Sequence, residues 1–156
     1  VYAIIMKKKK VLVLCTGNSC RSQMAEGWIK YYAGDAAAVC SAGIEAHGLN
    51  MNAVRSMMNA VIDISHQKSK TVAELPEKEF DYIITLCDDA KERCPVYPGN
   101  GIHLHAGFPD PEEASGTEEE IMNAFNHVRD DIEDFAFDFV HNNIRCLIPE
   151  NIEEIL

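Results

Sequence analysis

The octapeptide from Cys15 to Ser22, Cys-Thr-Gly-Asn-Ser-Cys-Arg-Ser, is the feature that most restricts how this chain folds. It follows an apolar stretch at 11–14 and precedes an amphipathic pattern, which predicts a short loop between a strand and a helix. The amino terminus of a helix presents unpaired backbone N–H groups and partial positive charge. A loop at that position binds a tetrahedral oxyanion, and Arg21 adds a planar fork of donors for two of its oxygens.

Cys15 lies at the floor of this loop and is the candidate nucleophile. The helix terminus and the Arg21 guanidinium favour the charged form of a nearby thiol, so we expect Cys15 to react as a thiolate. Ser22 is placed to donate a hydrogen bond to that sulfur. A buried Cys15 with a purely structural role is the alternative. The residues expected to surround the oxyanion, together with Arg21, are Thr16, Gly17, Asn18, Ser19 and Cys20.

The helix after the loop is predicted to be amphipathic. Its apolar face, which we assign to the core, comprises Met24, Trp28, Ile29 and Tyr32. The opposite face, which we assign to solvent, carries Gln23, Glu26 and Lys30.

Short apolar segments alternate with amphipathic ones along the rest of the chain. Further strands are predicted at 36–41, 81–86 and 102–106, and a helix is predicted at 49–60 with Met51, Val54 and Met57 inward. The last helix begins at a capping box, Thr117-x-x-Glu120. This alternation predicts an α/β fold, a single-domain three-layer sandwich with a central parallel sheet and helices on both faces. We predict one domain at 8–141 and a carboxyl-terminal tail at 142–156.

The composition argues against several classes of function. A chain of 156 residues with 47% hydrophobic and 25% charged residues is long enough for one soluble domain. Its net charge of −11 repels nucleic acid and anionic membranes, and the apolar start at 1–6 is too short to span a bilayer. We therefore expect a monomer without nucleic-acid or membrane partners. Six cysteines outside any dense framework favour a reducing, cytoplasmic location.

A second pair of cysteines follows another apolar strand, with Cys87 at the end of that strand and Cys94 seven residues later. Together with the run from Cys15 to Gly27, this pair resembles the thioredoxin-coupled arsenate reductases, a branch of the low molecular weight tyrosine phosphatase superfamily. Simple phosphatases of that superfamily do not need such a pair. The resemblance implies a flavodoxin-like fold.

The resemblance also implies a relay of three cysteines. Cys15 attacks arsenate, Cys87 attacks Cys15 as arsenite leaves, and Cys94 then attacks Cys87. The final disulfide between Cys87 and Cys94 would be reduced by thioredoxin, and no bound cofactor or metal is implied. Seven residues of straight helix span about 10.5 Å, whereas a disulfide needs Cα atoms within about 7 Å. We therefore predict that residues 87–95 differ in structure between the reduced and the oxidised protein.

Asp110 follows the predicted strand at 102–106 and matches the general-acid aspartate of the family. A turn-forming role before Pro111 is the alternative. Phosphatases of the family carry aromatic residues after this position, but this chain has Glu112 and Glu113, which argues against a phosphotyrosine substrate. The alternatives to a reductase are a low molecular weight tyrosine phosphatase, and a redox or metal sensor that uses Cys87 and Cys94.

Some members of the family bind potassium through residues that match Asn18, Glu26 and Ser41, together with an acidic residue. Lys70 occupies that acidic position here. We expect its ammonium group to lie where the ion would, and activity to be independent of potassium. We assign structural roles to two further pairs of residues. His103 and His105 are expected to be strand residues rather than metal ligands, and Cys40 and Cys146 are expected to be buried apolar side chains.

Overall fold

The protein is described by a computed structural model that covers residues 8–88 and 92–145. Within these ranges the chain forms four strands, β1 (Lys9–Cys15), β2 (Ala37–Gly43), β3 (Tyr82–Thr85) and β4 (Ile102–His105). It also forms three α-helices, α1 (Arg21–Ala33), α2 (Met51–Asn59) and α3 (Glu118–Phe139).

The four strands make one parallel sheet in the order β2-β1-β3-β4. The chain leaves β1 for β2 on one side and then returns to β3 on the other side, so the strand order reverses next to β1. Ligands of open α/β sheets bind at the carboxyl ends of the strands at such a reversal. The α/β, flavodoxin-like fold class is therefore confirmed, and Cys15 lies at the reversal, as the last residue of β1.

The side chains of β1 alternate between two hydrophobic clusters, one on each face of the sheet. Val11 and Val13 join the cluster that also contains buried residues of α1, α2 and α3. Leu12 and Leu14 join a smaller cluster with Leu75, Phe80, Ile83 and Tyr97, beside the short 3-10 helix Val72–Glu74. A strand that is buried on both faces reads as a continuous apolar run, which explains the sequence pattern at 11–14.

The solvent face predicted for α1 is wrong for two of its three residues. Gln23 and Glu26 are buried, and only Lys30 is exposed. The Nε2 atom of Gln23 donates to the carbonyl oxygens of Asn18 and Lys68, at 3.0 and 3.2 Å. The loop that contains Lys68 covers this side of α1, so its polar side chains are enclosed and hydrogen-bonded.

The amphipathic pattern of α2 was assigned correctly for Met57, which is fully buried. Met51 is 60% exposed, because it is the first residue of α2, and Ala53 takes its place on the buried side. Asn50 caps this helix, and its Oδ1 accepts from the backbone N–H of Asn52 at 2.8 Å.

Helix α3 begins where the capping box predicted, and the Oγ1 of Thr117 accepts from the N–H of Glu120 at 3.1 Å. A π-helical turn, Val140–Ile144, continues α3, and Ile144 is buried in the larger cluster. Arg145 then donates to the backbone oxygens of Tyr32 and Ala33 at 2.8 and 2.7 Å. The folded domain thus extends past residue 141, and Cys146 with the rest of the predicted tail lies outside the described residues. No helix in the described part of the chain is both long and apolar enough to cross a bilayer.

Phe125→Ala is expected to lower the free energy of unfolding by about 3–5 kcal/mol, the usual cost of emptying an aromatic site in a core. Phe125 is 1% exposed, whereas Phe137 on the same helix is 44% exposed and makes an edge contact with Tyr32. The control Phe137→Ala should cost only about 1 kcal/mol, the value of one aromatic contact. Urea denaturation followed by circular dichroism measures both, and equal losses would contradict this account of how α3 is anchored.

Candidate active site

The loop at residues 15–22, called here the oxyanion loop, is shaped by Asn18 and Gly43. Asn18 has a φ of 48°, in the left-handed region that asparagine tolerates better than most residues. Gly43, at the end of β2, lies directly against the loop. A Cβ atom at Gly43 would stand 2.7 Å from the oxygen of Thr16 and 2.9 Å from the nitrogen of Asn18. Glycine is therefore required there for the loop to keep its position.

The buried side chain of Asn18 holds the loop in place. Its Nδ2 donates to the Oγ atoms of Ser22 and Ser41, at 2.8 and 2.9 Å. Its Oδ1 accepts from the backbone N–H of Lys70 at 2.9 Å, which fixes the orientation of the amide. Asn18 was predicted to surround the oxyanion, and the structure adds a structural role for its side chain that the sequence did not show.

The cation that faces Glu26 is Lys30, not Lys70. The Nζ of Lys30 lies 2.6 Å from one carboxylate oxygen of Glu26, and Ser41 donates to the other oxygen at 2.7 Å. The ammonium group of Lys70 instead donates to the backbone oxygen of Lys68 at 3.1 Å. The prediction that Lys70 supplies the charge here is thus wrong, because Lys30 reaches Glu26 across one helical turn. Potassium-independent activity stays a prediction.

The candidate nucleophile Cys15 is buried, and its Sγ lies 2.9 Å from the Oγ of Ser22. Because Ser22 already accepts a hydrogen bond from Asn18, its own O–H is available to donate to the sulfur, as the sequence predicted. The N-cap residue of α1 is Cys20, whose side chain does not cap the helix. The first N–H groups of α1 thus remain available to an anion bound in the loop.

A cavity of about 140 Å³ opens in front of Cys15. This is roughly the volume of five water molecules at ~30 Å³ each, which suits one tetrahedral oxyanion. The cavity is lined by six residues of the oxyanion loop, Cys15, Thr16, Gly17, Ser19, Cys20 and Arg21, and by His47, Glu92, Asp110 and Glu112. Asn18, which was predicted to surround the oxyanion, is buried behind this lining. A larger groove of about 690 Å³ lies at the opposite edge of the sheet, where the strands begin, and none of the described residues that line it is a cysteine or a histidine.

Arg21 is charged and buried, and its guanidinium is bound to carboxylates. Both of its terminal nitrogens contact Glu92, at 2.6 and 3.0 Å, and Asp110 lies 3.8 Å away. Burial lowers the pKa of Arg21, but the hydrogen bond to Glu92 and the nearby charges outweigh that effect and raise it. Glu92 was not among the residues predicted for the site, and its only signal in the sequence is its position between Cys87 and Cys94.

Asp110 caps the short 3-10 helix Pro111–Glu113, with its Oδ1 accepting from the N–H of Glu112 at 3.0 Å. Its other oxygen faces Arg21 in the cavity. Burial raises the pKa of Asp110. The hydrogen bond from the N–H of Glu112 and the charge of Arg21 oppose this, and the charges of Glu112 and Glu92 add to it. A carboxyl group that keeps its proton to higher pH suits a general acid. Asp110 thus has the turn geometry of the alternative interpretation as well as a place in the cavity.

Glu112 joins the loop that carries Asp110 to the oxyanion loop. One of its oxygens accepts from Ser19 at 2.8 Å, from the Sγ of Cys20 at 3.1 Å and from Asn50 at 3.1 Å. Burial raises the pKa of Glu112, but these three hydrogen bonds outweigh it and leave the pKa lowered. The carboxylate is therefore charged, and it lines the cavity in front of Cys15.

Cys87 and Cys94 form a disulfide with Cα atoms 5.6 Å apart, while Cys15 is free. Cys87 follows β3, next to β1, and the N–H of Leu86 donates to the oxygen of Leu14 at 3.0 Å. Cys87 is therefore at the same edge of the sheet as Cys15. Cys87 is fully buried and Cys94 is half-buried, so only the Cys94 side of the disulfide is accessible to solvent.

Two further cysteines and two histidines have surroundings that fit a structural role. Burial and the charge of Glu112 raise the pKa of the Cys20 thiol, and burial raises that of the half-buried Cys40 to about 11. His103 contacts the oxygen of Gly99 at 3.3 Å, and His105 contacts the hydroxyl of Thr85 at 2.7 Å. Among the residues that the structure describes, no three histidine, cysteine or acidic side chains are grouped as a metal site would require.

Comparison with known proteins agrees with this geometry. Residues 10–145 match the family model described as low molecular weight phosphotyrosine protein phosphatase. A solved arsenate reductase in a phosphate-binding state is 30% identical, with a TM-score of 0.73 over 86% of this chain and 98% of that one. A second, in an oxidized state, is 28% identical, with the same TM-score and the same coverage.

Two curated relatives are more similar in sequence. The arsenate reductase of Halalkalibacterium halodurans is 53% identical over 127 residues, which are 81% of this chain and 91% of that protein. The arsenate reductase of Bacillus licheniformis is 54% identical over the same fractions. The chain therefore belongs to the low molecular weight phosphotyrosine protein phosphatase family, and within it to the bacterial arsenate reductases.

Proposed function

We propose that this protein reduces arsenate to arsenite through Cys15, Cys87 and Cys94, and so serves arsenic detoxification. The observation that carries the proposal is a disulfide between Cys87 and Cys94 at the same edge of the sheet as a free cysteine in an oxyanion-sized cavity. A phosphatase needs the cavity and Cys15 alone. A reductase also needs two electrons, and an internal pair of thiols supplies them as it becomes a disulfide.

In the first step the oxyanion loop and Arg21 hold arsenate, and the Cys15 sulfur forms a bond to arsenic. An oxygen of arsenate leaves as water, with its proton supplied by Asp110. In the second step Cys87, as a thiolate, attacks the sulfur of Cys15. The sulfur–arsenic bond breaks, its electron pair stays on arsenic, and arsenite leaves as a Cys15–Cys87 disulfide forms.

In the third step the Cys94 thiolate attacks Cys87 and releases Cys15 as a thiolate. The Cys87–Cys94 disulfide then returns to two thiols by exchange with an external dithiol, for which we propose reduced thioredoxin. Because Cys87 is fully buried and Cys94 is half-buried, the external dithiol attacks the sulfur of Cys94. A reducing compartment, the cytoplasm, keeps this cycle supplied.

A second activity, hydrolysis of phosphate esters, is favoured by one observation: a cavity shaped for a tetrahedral oxyanion accepts phosphate as well as arsenate. The charged Glu112 on the rim disfavours phosphotyrosine, since it repels the substrate and offers no aromatic surface. We therefore propose arsenate reduction as the main activity and ester hydrolysis as a weak one.

Cys15→Ser, Cys87→Ser and Cys94→Ser should each abolish multiple turnover in an assay of arsenate-dependent NADPH oxidation with thioredoxin and thioredoxin reductase. Cys94→Ser should still release about one arsenite per protein and stop as the Cys15–Cys87 disulfide, which mass spectrometry detects. The control is Cys40→Ser, which should remain active because burial keeps that thiol protonated. Cleavage of an aryl phosphate by the Cys87→Ser variant, with no arsenate turnover in the wild type, would identify a phosphatase instead. Bound zinc without turnover would identify a sensor.

Glu112→Gln should move the loss of activity at high pH to lower pH. Asp110 acts in its protonated form, so activity falls as pH rises through the pKa of Asp110. The charge of Glu112 raises that pKa, and a neutral glutamine removes the effect while keeping an oxygen that accepts hydrogen bonds. The measurement is the pH profile of kcat/KM for arsenate, with the neighbouring Glu113→Gln as the charge control. An unchanged profile would mean that Asp110 is not the titrating acid.

A further inference from the structure

The oxyanion site contains a carboxylate of the protein itself. Glu92 contacts both terminal nitrogens of Arg21, at 2.6 and 3.0 Å. The two side chains are 18% and 4% exposed, respectively, so the pair is largely removed from water. Two carboxylate oxygens on the fork of a guanidinium reproduce the contact that two oxygens of arsenate or phosphate would make there.

The position of Glu92 in the chain connects this contact to the redox state. Glu92 lies between Cys87 and Cys94, in the segment that their disulfide closes. Its backbone N–H donates to the oxygen of Asp88 at 2.9 Å, and the N–H of Asp88 donates to the Glu92 carboxylate at 3.1 Å. The carboxylate on Arg21 and the half-cystine at 94 are therefore only two residues apart.

Glu92 and a bound oxyanion exclude each other. Asp110 and Glu112 also face the cavity, and among the described residues Arg21 is the only arginine that lines it. An arsenate dianion placed beside the Glu92 carboxylate would compete for the same two nitrogens and meet its negative charge at contact distance. The oxyanion therefore binds well only when Glu92 has left Arg21.

We propose that Glu92 is a positioning residue, which replaces the departed oxyanion on Arg21 and thereby holds Cys94 against Cys87. This inference rests on the proposed three-cysteine relay. After arsenite leaves, Arg21 is free, Glu92 binds to it, and the Cys94 thiolate attacks the Cys87 sulfur. The new bond joins Cys87 and Cys94, the bond from Cys15 to Cys87 breaks, and Cys15 leaves as a thiolate. The order prevents Cys94 from closing the disulfide while an oxyanion still occupies the site.

Oxyanion binding and the redox state of Cys87 and Cys94 must be thermodynamically linked, and this linkage can be measured without arsenate. If the disulfide form seats Glu92 on Arg21, that form must bind oxyanions more weakly than the reduced form does. By reciprocity, a bound oxyanion must then favour reduction of the disulfide to the same extent. Phosphate, which is not reduced, is the suitable anion for measuring this coupling.

The test is the dissociation constant of inorganic phosphate, measured by calorimetry on the reduced and the disulfide forms of the full chain. In the wild type we expect phosphate to bind the disulfide form about tenfold more weakly than the reduced form, which is within the usual range of coupling between sites. Saturating phosphate should then raise the midpoint potential of the Cys87–Cys94 pair by about 30 mV per tenfold difference. In Glu92→Gln the two dissociation constants should agree within about twofold, and the potential should not respond to phosphate.

Glu113→Gln removes the same charge close to the cavity and should keep the wild-type ratio, which separates the Arg21 contact from a general charge effect. In a quenched single turnover, Glu92→Gln should also accumulate the Cys15–Cys87 disulfide that the wild type consumes. Equal phosphate affinity of the two wild-type forms, or a wild-type ratio in Glu92→Gln, would overturn the proposal. The wild type could instead show the expected difference between its two phosphate dissociation constants and yet reduce no arsenate. That result would refute the proposed function and leave the phosphate coupling of Glu92 intact.

Discussion

The orientation of one buried amide, that of Asn18, controls most of the active site. Its oxygen accepts from the backbone of Lys70, so its two N–H bonds must point to Ser22 and Ser41. Each serine oxygen then acts as an acceptor, and each hydroxyl proton is directed away from Asn18. One proton goes toward the Cys15 sulfur and the other to Glu26. The Cys15 sulfur is thus held at the end of a chain of hydrogen bonds in which every donor has an acceptor.

The charges around the cavity are mostly negative, which is unexpected for a site that binds an anion. A chain with a net charge of −11 binds an anion, and it places Glu92, Asp110 and Glu112 around the single guanidinium of Arg21. Long-range repulsion matters little, because at physiological ionic strength charges are screened beyond about 8 Å. Attraction comes from the guanidinium and the helix N–H groups at contact distance. The carboxylates differ in their surroundings: burial raises the pKa of Asp110, Glu112 joins two loops, and Glu92 contacts Arg21.

The chemistry of each cysteine depends on its burial and on the groups that contact its sulfur. Only thiolates attack sulfur or arsenic at useful rates. Burial keeps Cys40 and Cys20 protonated at neutral pH, and Cys20 uses its proton to donate to Glu112. Cys87 and Cys94 are joined to each other, and Cys15 has the hydroxyl of Ser22 against its sulfur. Cysteine side chains of one domain thus provide a free thiol in the cavity, a disulfide and a hydrogen-bond donor to a carboxylate.

The sequence by itself determined the alternating α/β order and the strand–loop–helix around Cys15, and it singled out Arg21, Cys87 and Cys94 as candidate site residues. These features are local, because strand and helix periodicity and loop chemistry depend on neighbours in the chain. The tertiary structure decided which polar residues are buried and which charges meet. Gln23 is enclosed by the loop around Lys68, 45 residues away, and Glu92 reaches Arg21 across 71 residues. No periodicity encodes such contacts, because they arise only when the folded sheet brings distant loops to one edge.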